Sequence, residues 1–351
     1  MTDANQSTIA VQHLPEPLAS KDPCNMLHKA SCNLLHNSED RFSISMAARP
    51  GAEVHISSKL KQLLDGAVSQ STKKAYQGDL KHFVSSGGSI PCSPEKVAEY
   101  AASFAGVHKP ATIARRLVSI GKAHRLSGFE NPVNSDIVKL SMRGLRRSMG
   151  CAQREAKPVL RDDLFGILEN IGSSLKGIRD AALLLVCFSG GFRRSEVVSL
   201  DVEDIEHVRQ GIVVRLGRSK TDQEGRGRKI AIPYGTGPWC PVRALDDWIS
   251  ASGIQSGAIF RVVNRHSKMS GARLSGQAVS LILQARAADA GLDVNGISGH
   301  SLRAGFATSA ALAGASSRAI RKQTGHRSDS MLNRYIRDAD LFVRNASAVV
   351  L

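Results

Sequence analysis

The sequence GHRSDSMLNRYIRD, residues 325–338, is polar and basic, yet it contains one of only four tyrosines in the chain. Met331, Leu332, Tyr335 and Ile336 recur at the spacing of one face of an α-helix. This stripe predicts a half-buried tyrosine that packs on a hydrophobic core. The stripe alone does not distinguish a packing residue from one whose hydroxyl reacts.

The distribution of charge along the chain indicates which kind of molecule the protein binds. The chain has 351 residues, which favours two domains, and a formal net charge of +16 at pH 7. Residues 51–150 carry a net charge of +8 and residues 151–351 carry +9, whereas residues 1–50 carry −1. A polyanion that contacts both regions accounts for this pattern, and nucleic acid is the usual one. A basic soluble protein without such a partner has the same composition.

Segments that direct a chain to a membrane or out of the cell are not evident. No run of 18 apolar residues and no secretory signal occurs, which predicts a cytoplasmic protein with no membrane partner. The six cysteines form no C-x-x-C motif and are expected to be reduced thiols. The sequence has no Walker-type phosphate loop and no compact Asp/Glu cluster for two metals, so we predict no metal and no cofactor. Translation starts at Met1 or at Met46; the sequence is compatible with both.

Periodicity divides the N-terminal half. Residues 1–55 lack a sustained pattern and predict a weakly ordered extension. Residues 56–150 contain four helical patterns and no strand pattern, which predicts a small all-α domain. Its first helix is expected to begin at Ser71 or Thr72 as the N-cap. Residues 151–158 are polar and end in proline, as is typical of a linker.

The C-terminal half predicts a mixed domain over residues 159–339, followed by an apolar tail over residues 340–351. Most of its patterns are helical. Within residues 211–233, apolar residues alternate on both sides of a Gly-rich, charged turn, which predicts a β-hairpin with Lys220 at or near its tip. The expected fold class is therefore α+β, mainly α with a small β-hairpin or sheet.

Several charged side chains have spacings that suit chemistry. Arg193 and Arg194 precede Glu196, which lies one helical turn after Arg193, so a carboxylate can hold that guanidinium. His300 and Arg303 share a helix face near an N-terminus, where both can meet one phosphate. Taken alone, the Arg193–Glu196 pattern is more simply an ion pair at a basic helix N-terminus. A capping histidine beside a surface arginine explains His300 and Arg303 about equally well. Lys220 alone is most simply a solvated loop lysine.

The order of these motifs is more informative. R-x-x-E, a hairpin lysine, H-x-x-R, G-H and a tyrosine nine residues later resemble the tyrosine recombinase (phage integrase) family, and especially its Cre-type recombinases. The resemblance covers roughly residues 66–345 and rests mainly on HSLRAGFAT and GHRSDSMLNRYIR. It implies an N-terminal helical core-binding domain and a C-terminal tyrosine-recombinase catalytic domain.

The resemblance also implies roles for residues. The implied catalytic residues are Arg193, Lys220, His300, Arg303, His326 and the nucleophile Tyr335, with Glu196 in support. GGFRRSE departs from the more usual TGLR-x-SE, which leaves Arg194 as an alternative to Arg193; we favour Arg193 because it directly follows the Gly-aromatic pair. Residue 326 is histidine or tryptophan across the family, and tryptophan in Cre.

The implied reaction is DNA strand exchange without metal or ATP. Two arginines would neutralise a phosphodiester while His326 adds a donor, His300 takes the tyrosine proton and Lys220 protonates the leaving 5′-oxygen. The product is a 3′-phosphotyrosyl intermediate on Tyr335. A type IB topoisomerase and a non-enzymatic helix-turn-helix regulator are the alternatives.

The implied partners follow from the same resemblance. They are double-stranded DNA with paired recombination sites and a homotetramer on that DNA, built by docking of residues 340–351. Free of DNA, the protein is expected to be a monomer or weak oligomer; accessory DNA-bending proteins are compatible with this picture. The expected place is the nucleoid of a bacterial or phage-infected cell. The expected DNA contacts are Arg115, Arg116, Lys122, Arg143, Arg146 and Arg147.

Overall fold

The computed structural model describes residues 66–150, 156–217 and 227–326, together with residues 328, 332 and 335. Contacts divide the chain into two compact units, a first unit up to residue 153 and a second unit from residue 154. Within the described residues, no helix is both long enough and apolar enough to cross a membrane.

Three of the predicted features lie outside the described residues. They are the N-terminal extension of residues 1–55, Lys220 on the hairpin and the C-terminal tail of residues 340–351. Cys92, Cys187 and Cys240, which are described, are free thiols.

The described part of the first unit, residues 66–150, contains the four helices that the sequence predicts. They are α1 (Gln70–Ser85), α2 (Pro94–Ser103), α3 (Pro110–Leu126) and α4 (Asp136–Met149), with a short 3-10 turn at Pro132–Asn134. Ser93 caps α2 and precedes a proline at its start. The prediction of Ser71 or Thr72 as the first cap is wrong, because the Ser69 side chain accepts the Thr72 backbone N–H. The helix therefore begins one residue after Ser69.

A polar contact joins α1 to α3 inside the first unit. Phe83, Ile113 and Ile120 are almost fully buried in its core. Beside them Asp79, only 3% exposed, accepts a hydrogen bond from Ser119 Oγ at 2.8 Å and pairs with Arg115 Nη2 at 2.9 Å. A buried carboxylate needs such partners, so this contact fixes the two helices against each other.

The second unit contains seven helices and five strands among its described residues. The helices are α5 (Arg161–Glu169), α6 (Leu175–Ser189), α7 (Arg194–Ser199), α8 (Pro241–Ser252), α9 (Gly276–Asp289), α10 (Ser301–Leu312) and α11 (Ser317–Thr324). The strands are β1 (Ile205–Val208), β2 (Gly211–Leu216), β3 (Arg228–Pro233), β4 (Arg261–Val263) and β5 (Met269–Arg273). This is the α+β class that the sequence predicts.

The predicted hairpin is present as β2 and β3, paired antiparallel from Gly211 opposite Pro233 to Leu216 opposite Arg228. It is part of a larger sheet, since β1 adds to the other edge of β2 and gives the order β1-β2-β3. The sequence analysis missed β1 and the separate β4–β5 pair. These strands are short and mostly exposed, so they lack the alternation of apolar residues that marks a half-buried strand.

The core of the second unit positions α10. Helix α6 is buried on almost every side, and Leu183, Leu184 and Val186 have no exposed surface. Helix α10 packs beside α6 and against the extended backbone at Val159. A Cβ added at Gly305 would lie 1.6 Å from the Val159 carbonyl oxygen, so only glycine permits this approach. The close packing fixes the turn of α10 that carries Arg303.

Candidate active site

Arg193 is held where α6 turns into α7. Gly191 adopts φ of +57°, and a Cβ there would meet Thr324 Cγ2 at 2.9 Å. Arg193 then serves as the N-cap residue of α7. Its Nη1 donates to Glu196 Oε1 at 2.6 Å and its backbone N–H donates to Oε2 at 2.9 Å. Glu196 is 2% exposed, so a buried carboxylate orients the guanidinium, as the R-x-x-E spacing predicts.

Arg194 points elsewhere. It is exposed, and its Nη1 lies 3.4 Å from Gln277 Oε1 and 3.3 Å from Ser280 Oγ on α9. The geometry therefore favours Arg193 over Arg194 as the arginine of this site.

Arg303 is buried in the same place. Its side chain projects from the first turn of α10 and is 4% exposed. Nη1 donates to the backbone carbonyls of Gly191 and Thr324 at 2.6 and 2.5 Å. Nη2 is buried and has no hydrogen-bond partner among the described residues. Burial and then the charge of Arg193 lower the pKa of Arg303 to about 10, so it stays positive at neutral pH.

His326 lies directly after α11 and is 7% exposed. Thr324 Oγ1 donates to the Ile320 carbonyl at 2.7 Å, which leaves its oxygen to accept from His326 Nδ1 at 2.8 Å. Both bonds form only when the proton is on Nδ1, so Nε2 is the acceptor in the neutral ring. Burial, followed by the charges of Arg303, Arg193 and Arg228, lowers the pKa of His326 to about 4.

Tyr335 contacts both a hydrophobic cluster and the charged site. It is half-buried and packs against Ala307, Ile320 and Leu332, as the apolar stripe predicts. Its ring centroid is 6.0 Å from that of His326. It also raises the pKa of Arg303, against the larger effects of burial and Arg193. Tyr335 can therefore pack on the hydrophobic core and also direct its hydroxyl at the charged site.

Of the two remaining predicted catalytic residues, the structure describes His300 but not Lys220. His300 is exposed and forms the N-cap residue of α10, three positions before Arg303. Its backbone N–H donates to Ser298 Oγ at 3.3 Å. Lys220 lies outside the described residues. The structure thus brings Arg193, Glu196, Arg303 and His326 together beside Tyr335; these four residues are called the arginine cluster below.

The sequence analysis missed one charged residue next to the arginine cluster. Arg228 begins β3, and its Nη2 lies 3.2 Å from Glu196 Oε2. Arg228 shares the inward face of the strand with Ile230 and Ile232. A basic residue in phase with two buried isoleucines was the signal, because an inward charge requires a buried anionic partner.

The predicted DNA contacts in the first unit differ in exposure. Arg143, Arg146 and Arg147 are exposed on α4, and the Arg115 side chain is 49% exposed. Lys122 is half-buried, with Nζ 4.9 Å from the Tyr76 ring centroid. The Arg116 side chain is only 12% exposed, and its Nη1 lies 3.0 Å from His82 Nε2. Arg116 is thus held mainly by the protein.

The arrangement of the arginine cluster suits an oxyanion. Two guanidiniums and one carboxylate give a net charge of +1 while His326 is neutral. A buried N–H group without a partner is costly unless a ligand completes it, and Arg303 Nη2 has none within the part of the chain that the structure describes. A phosphate oxygen is the acceptor that matches the charge and the donor geometry of arginine.

Comparisons with known proteins identify the family of this chain. Residues 159–341 match the model of the Phage integrase family. The chain is 36% identical over 318 residues to an integrase/recombinase XerD homolog of Selenomonas ruminantium, covering 88% of this chain and 93% of the relative. It is 28% identical over 272 residues to the recombinase Cre of Escherichia phage P1, covering 72% and 78% of the two chains.

The fold also matches a solved structure. A lambda integrase tetramer bound to a Holliday junction superposes with a TM-score of 0.56 and 19% sequence identity. The match covers 80% of this chain and 75% of that one. At this identity the likeness concerns the fold.

Proposed function

Since the chain belongs to the phage integrase family and is a tyrosine site-specific recombinase, we propose that Tyr335 attacks DNA to form a 3′-phosphotyrosyl intermediate. The observation that carries the proposal is the position of Tyr335 beside His326 and the buried Arg303, whose Nη2 has no hydrogen-bond partner among the described residues. A tyrosine nucleophile needs such a positive pocket because its phenol has an ordinary pKa of about 10.

Each step then has an assigned group. Arg193 and Arg303 bind the non-bridging oxygens and neutralise the charge that builds in the pentacoordinate transition state. His300 accepts the Tyr335 proton, and the phenolate oxygen forms the new bond to phosphorus. The bond to the 5′-oxygen breaks, and Lys220 donates the proton that this leaving group needs. Attack by a 5′-hydroxyl of another strand reverses these steps, so rejoining consumes no ATP.

The tautomer of His326 adds a condition to its proposed role as a donor. The Thr324 hydroxyl accepts from Nδ1, which leaves only Nε2 to face a ligand, and that nitrogen carries no proton in the neutral ring. His326 can donate to a phosphate oxygen only after it gains a proton. A bound phosphate favours that gain, because its negative charge offsets the nearby arginines that lower the His326 pKa.

The two units have complementary tasks in this proposal. Residues 56–150 form the core-binding domain, residues 151–158 the linker and residues 159–339 the catalytic domain. The exposed basic side chains of α4 and Arg115 contact backbone phosphates of duplex DNA, so binding weakens as salt rises. Arg116 contributes less directly, because His82 already engages its guanidinium.

Recombination needs more than one copy of the chain. We infer a homotetramer on paired sites, supported by the lambda integrase tetramer whose fold this chain shares. Docking of residues 340–351 on a neighbouring subunit would join the copies. Deleting those residues should weaken synapsis of two sites, and unchanged assembly would contradict this role.

Accessory DNA-bending proteins and a nucleoid location in a bacterial or phage-infected cell are compatible with the proposal.

The proposed function is tested by trapping the covalent adduct. Mapping protein-linked 3′ ends on genomic DNA gives the target site, which is then built into a nicked suicide substrate. We expect the wild-type chain to form an adduct on a denaturing gel and Tyr335→Phe to form none. A type IB topoisomerase would also form the adduct, but it would relax supercoiled DNA without exchanging strands between two sites. A helix-turn-helix regulator would form no adduct.

A further inference from the structure

We propose that Arg228 is a positioning residue of the active site, whose guanidinium bridges the Glu196 carboxylate and the backbone that leads into His326. The inference rests on the proposed function, since it assigns Arg228 a task in the same DNA cleavage. It concerns a residue that the R-x-x-E, lysine, H-x-x-R and tyrosine motifs do not include.

The side chain of Arg228 reaches two separate elements. It starts from β3 opposite Leu216, on the face that also carries the buried Ile230. Nη2 lies 3.2 Å from Glu196 Oε2, and Nη1 donates to the Gln323 carbonyl at 3.1 Å. The side chain is 21% exposed. One planar group therefore spans from α7 to the end of α11.

On the α7 side, Arg228 completes the environment of Glu196. Oε1 accepts from the Arg193 guanidinium, while Oε2 accepts from the Arg193 backbone N–H and lies against Arg228. The carboxylate is buried, so its orientation depends on these donors. Without Arg228, the carboxylate can rotate and the Arg193 guanidinium loses its fixed direction.

On the α11 side, Arg228 holds the backbone before His326. Gly325 adopts φ of +68°, and a Cβ there would lie 2.3 Å from Arg228 Nη1. The guanidinium thus lies directly against this turn. Gln323 strengthens the junction, because its Nε2 donates to the Ser189 and Ala231 carbonyls, both at 3.0 Å. Displacement of Arg228 would allow the turn and His326 to move.

Arg228 also changes the charge of the site. The arginine cluster alone carries +1, and Arg228 raises the local total to +2 while His326 is neutral. Its Nε is buried without a hydrogen-bond partner in the described parts of the chain. Arg228 further opposes protonation of His326 and Arg303, although burial is the larger cause for both pKa values.

The test compares Arg228→Gln with Arg228→Lys and with Lys229→Gln. Lys229 is the next residue of β3 and is exposed, so its variant loses the same charge from the same strand outside the site. Single-turnover cleavage is measured at saturating protein on a nicked suicide substrate that carries the mapped site. DNA affinity and the thermal unfolding of each variant are measured in parallel.

We expect Arg228→Gln to cleave about 100-fold more slowly than Lys229→Gln, with DNA affinity within about twofold, because misplacing catalytic groups by about 1 Å has effects of this order. Arg228→Lys keeps the charge but loses the planar guanidinium that donates to two acceptors at once, so it should recover only part of the cleavage rate. If Arg228→Gln does not fold, the cleavage rate of Arg228→Lys is compared with that of Lys229→Gln instead. A rate within about twofold of Lys229→Gln would overturn the inference.

A double-mutant cycle with Glu196→Gln separates positioning from a general loss of structure. If Arg228 acts largely through Glu196, Arg228→Gln should slow the Glu196→Gln protein by only about 10-fold. Persistence of the full ~100-fold effect would contradict the proposed route. Absence of any adduct with the wild-type chain would overturn the proposed function itself and this inference with it. A wild-type adduct combined with an unaffected Arg228→Gln overturns the inference alone.

Discussion

Acidification should destabilise the second unit through one buried histidine. His326 is surrounded by Arg303, Arg193 and Arg228, which together with burial lower its pKa to about 4 from the usual 6.5. The native protein therefore resists protonation of this ring, whereas the unfolded chain does not. The perturbation is a shift from about pH 7.5 to about pH 5, applied to the wild-type chain and to His326→Gln.

The linkage between proton binding and folding gives the sign and the size of this change in the unfolding free energy. At about pH 7.5, one unit above the usual value of 6.5, the ring is mostly neutral in both states, so the lowered pKa has almost no effect on stability. As pH falls towards 4, the unfolded state binds a proton that the native state does not, and the unfolding free energy decreases. With these two values, the decrease between about pH 7.5 and pH 5 is about 2 kcal/mol.

Urea unfolding followed by tryptophan fluorescence is the assay. The chain has two tryptophans, Trp239 and Trp248, and both belong to the second unit, so the signal reports that unit. Other groups also titrate, and the informative quantity is the difference between variants. The pH-dependent loss of stability should be about 2 kcal/mol smaller in His326→Gln than in the wild-type chain.

The matched control is His266→Gln, which removes an exposed histidine from the β4–β5 turn. This variant should lose stability on acidification as the wild-type chain does. Equal losses in the wild-type chain and His326→Gln would refute the reasoning, since they would mean that His326 titrates alike in the folded and unfolded states.

Three further perturbations test other contacts. Thr324→Val removes the hydroxyl that fixes the His326 tautomer; we expect a loss of about 1–3 kcal/mol in stability and slower suicide-substrate cleavage. Unchanged cleavage would count against a role for the tautomer. Gly305→Ala should prevent folding of the second unit, as judged by fluorescence, whereas Gly271→Ala, which meets nothing within 4 Å, should fold. Asp79→Asn should destabilise the first unit by about 1–2 kcal/mol, because Arg115 is half-exposed and asparagine still accepts from Ser119; hydrogen exchange of residues 66–150 measures this loss.

Local spacing predicted the parts of the site that depend on short sequence distances. The ion pair between Arg193 and Glu196 lies within one helical turn, so its spacing in the sequence determines its geometry. The stripe around Tyr335 predicted its packing for the same reason. The helices of both units were predicted from apolar periodicity, which burial on one face enforces.

Contacts between distant residues were not predictable in this way. Arg228 reaches Glu196 from a different strand, and only the sheet register and the path of β3 bring them together. Arg116 illustrates the converse. The family resemblance suggested a DNA contact for Arg116, but helix packing directs its guanidinium towards His82. Composition identifies which charges exist, and tertiary packing decides which of them face solvent.

The anchoring of Arg303 has a consequence for the energetics of DNA recognition. A free arginine side chain loses about 2 kcal/mol of rotamer entropy when it is immobilised. Here two backbone carbonyls, from Gly191 and Thr324, immobilise the guanidinium before any ligand arrives. That entropic cost belongs to folding rather than to association, so the site is preorganised. A rigid guanidinium also discriminates by shape, because it cannot adjust its donor directions to an anion that approaches at a different angle.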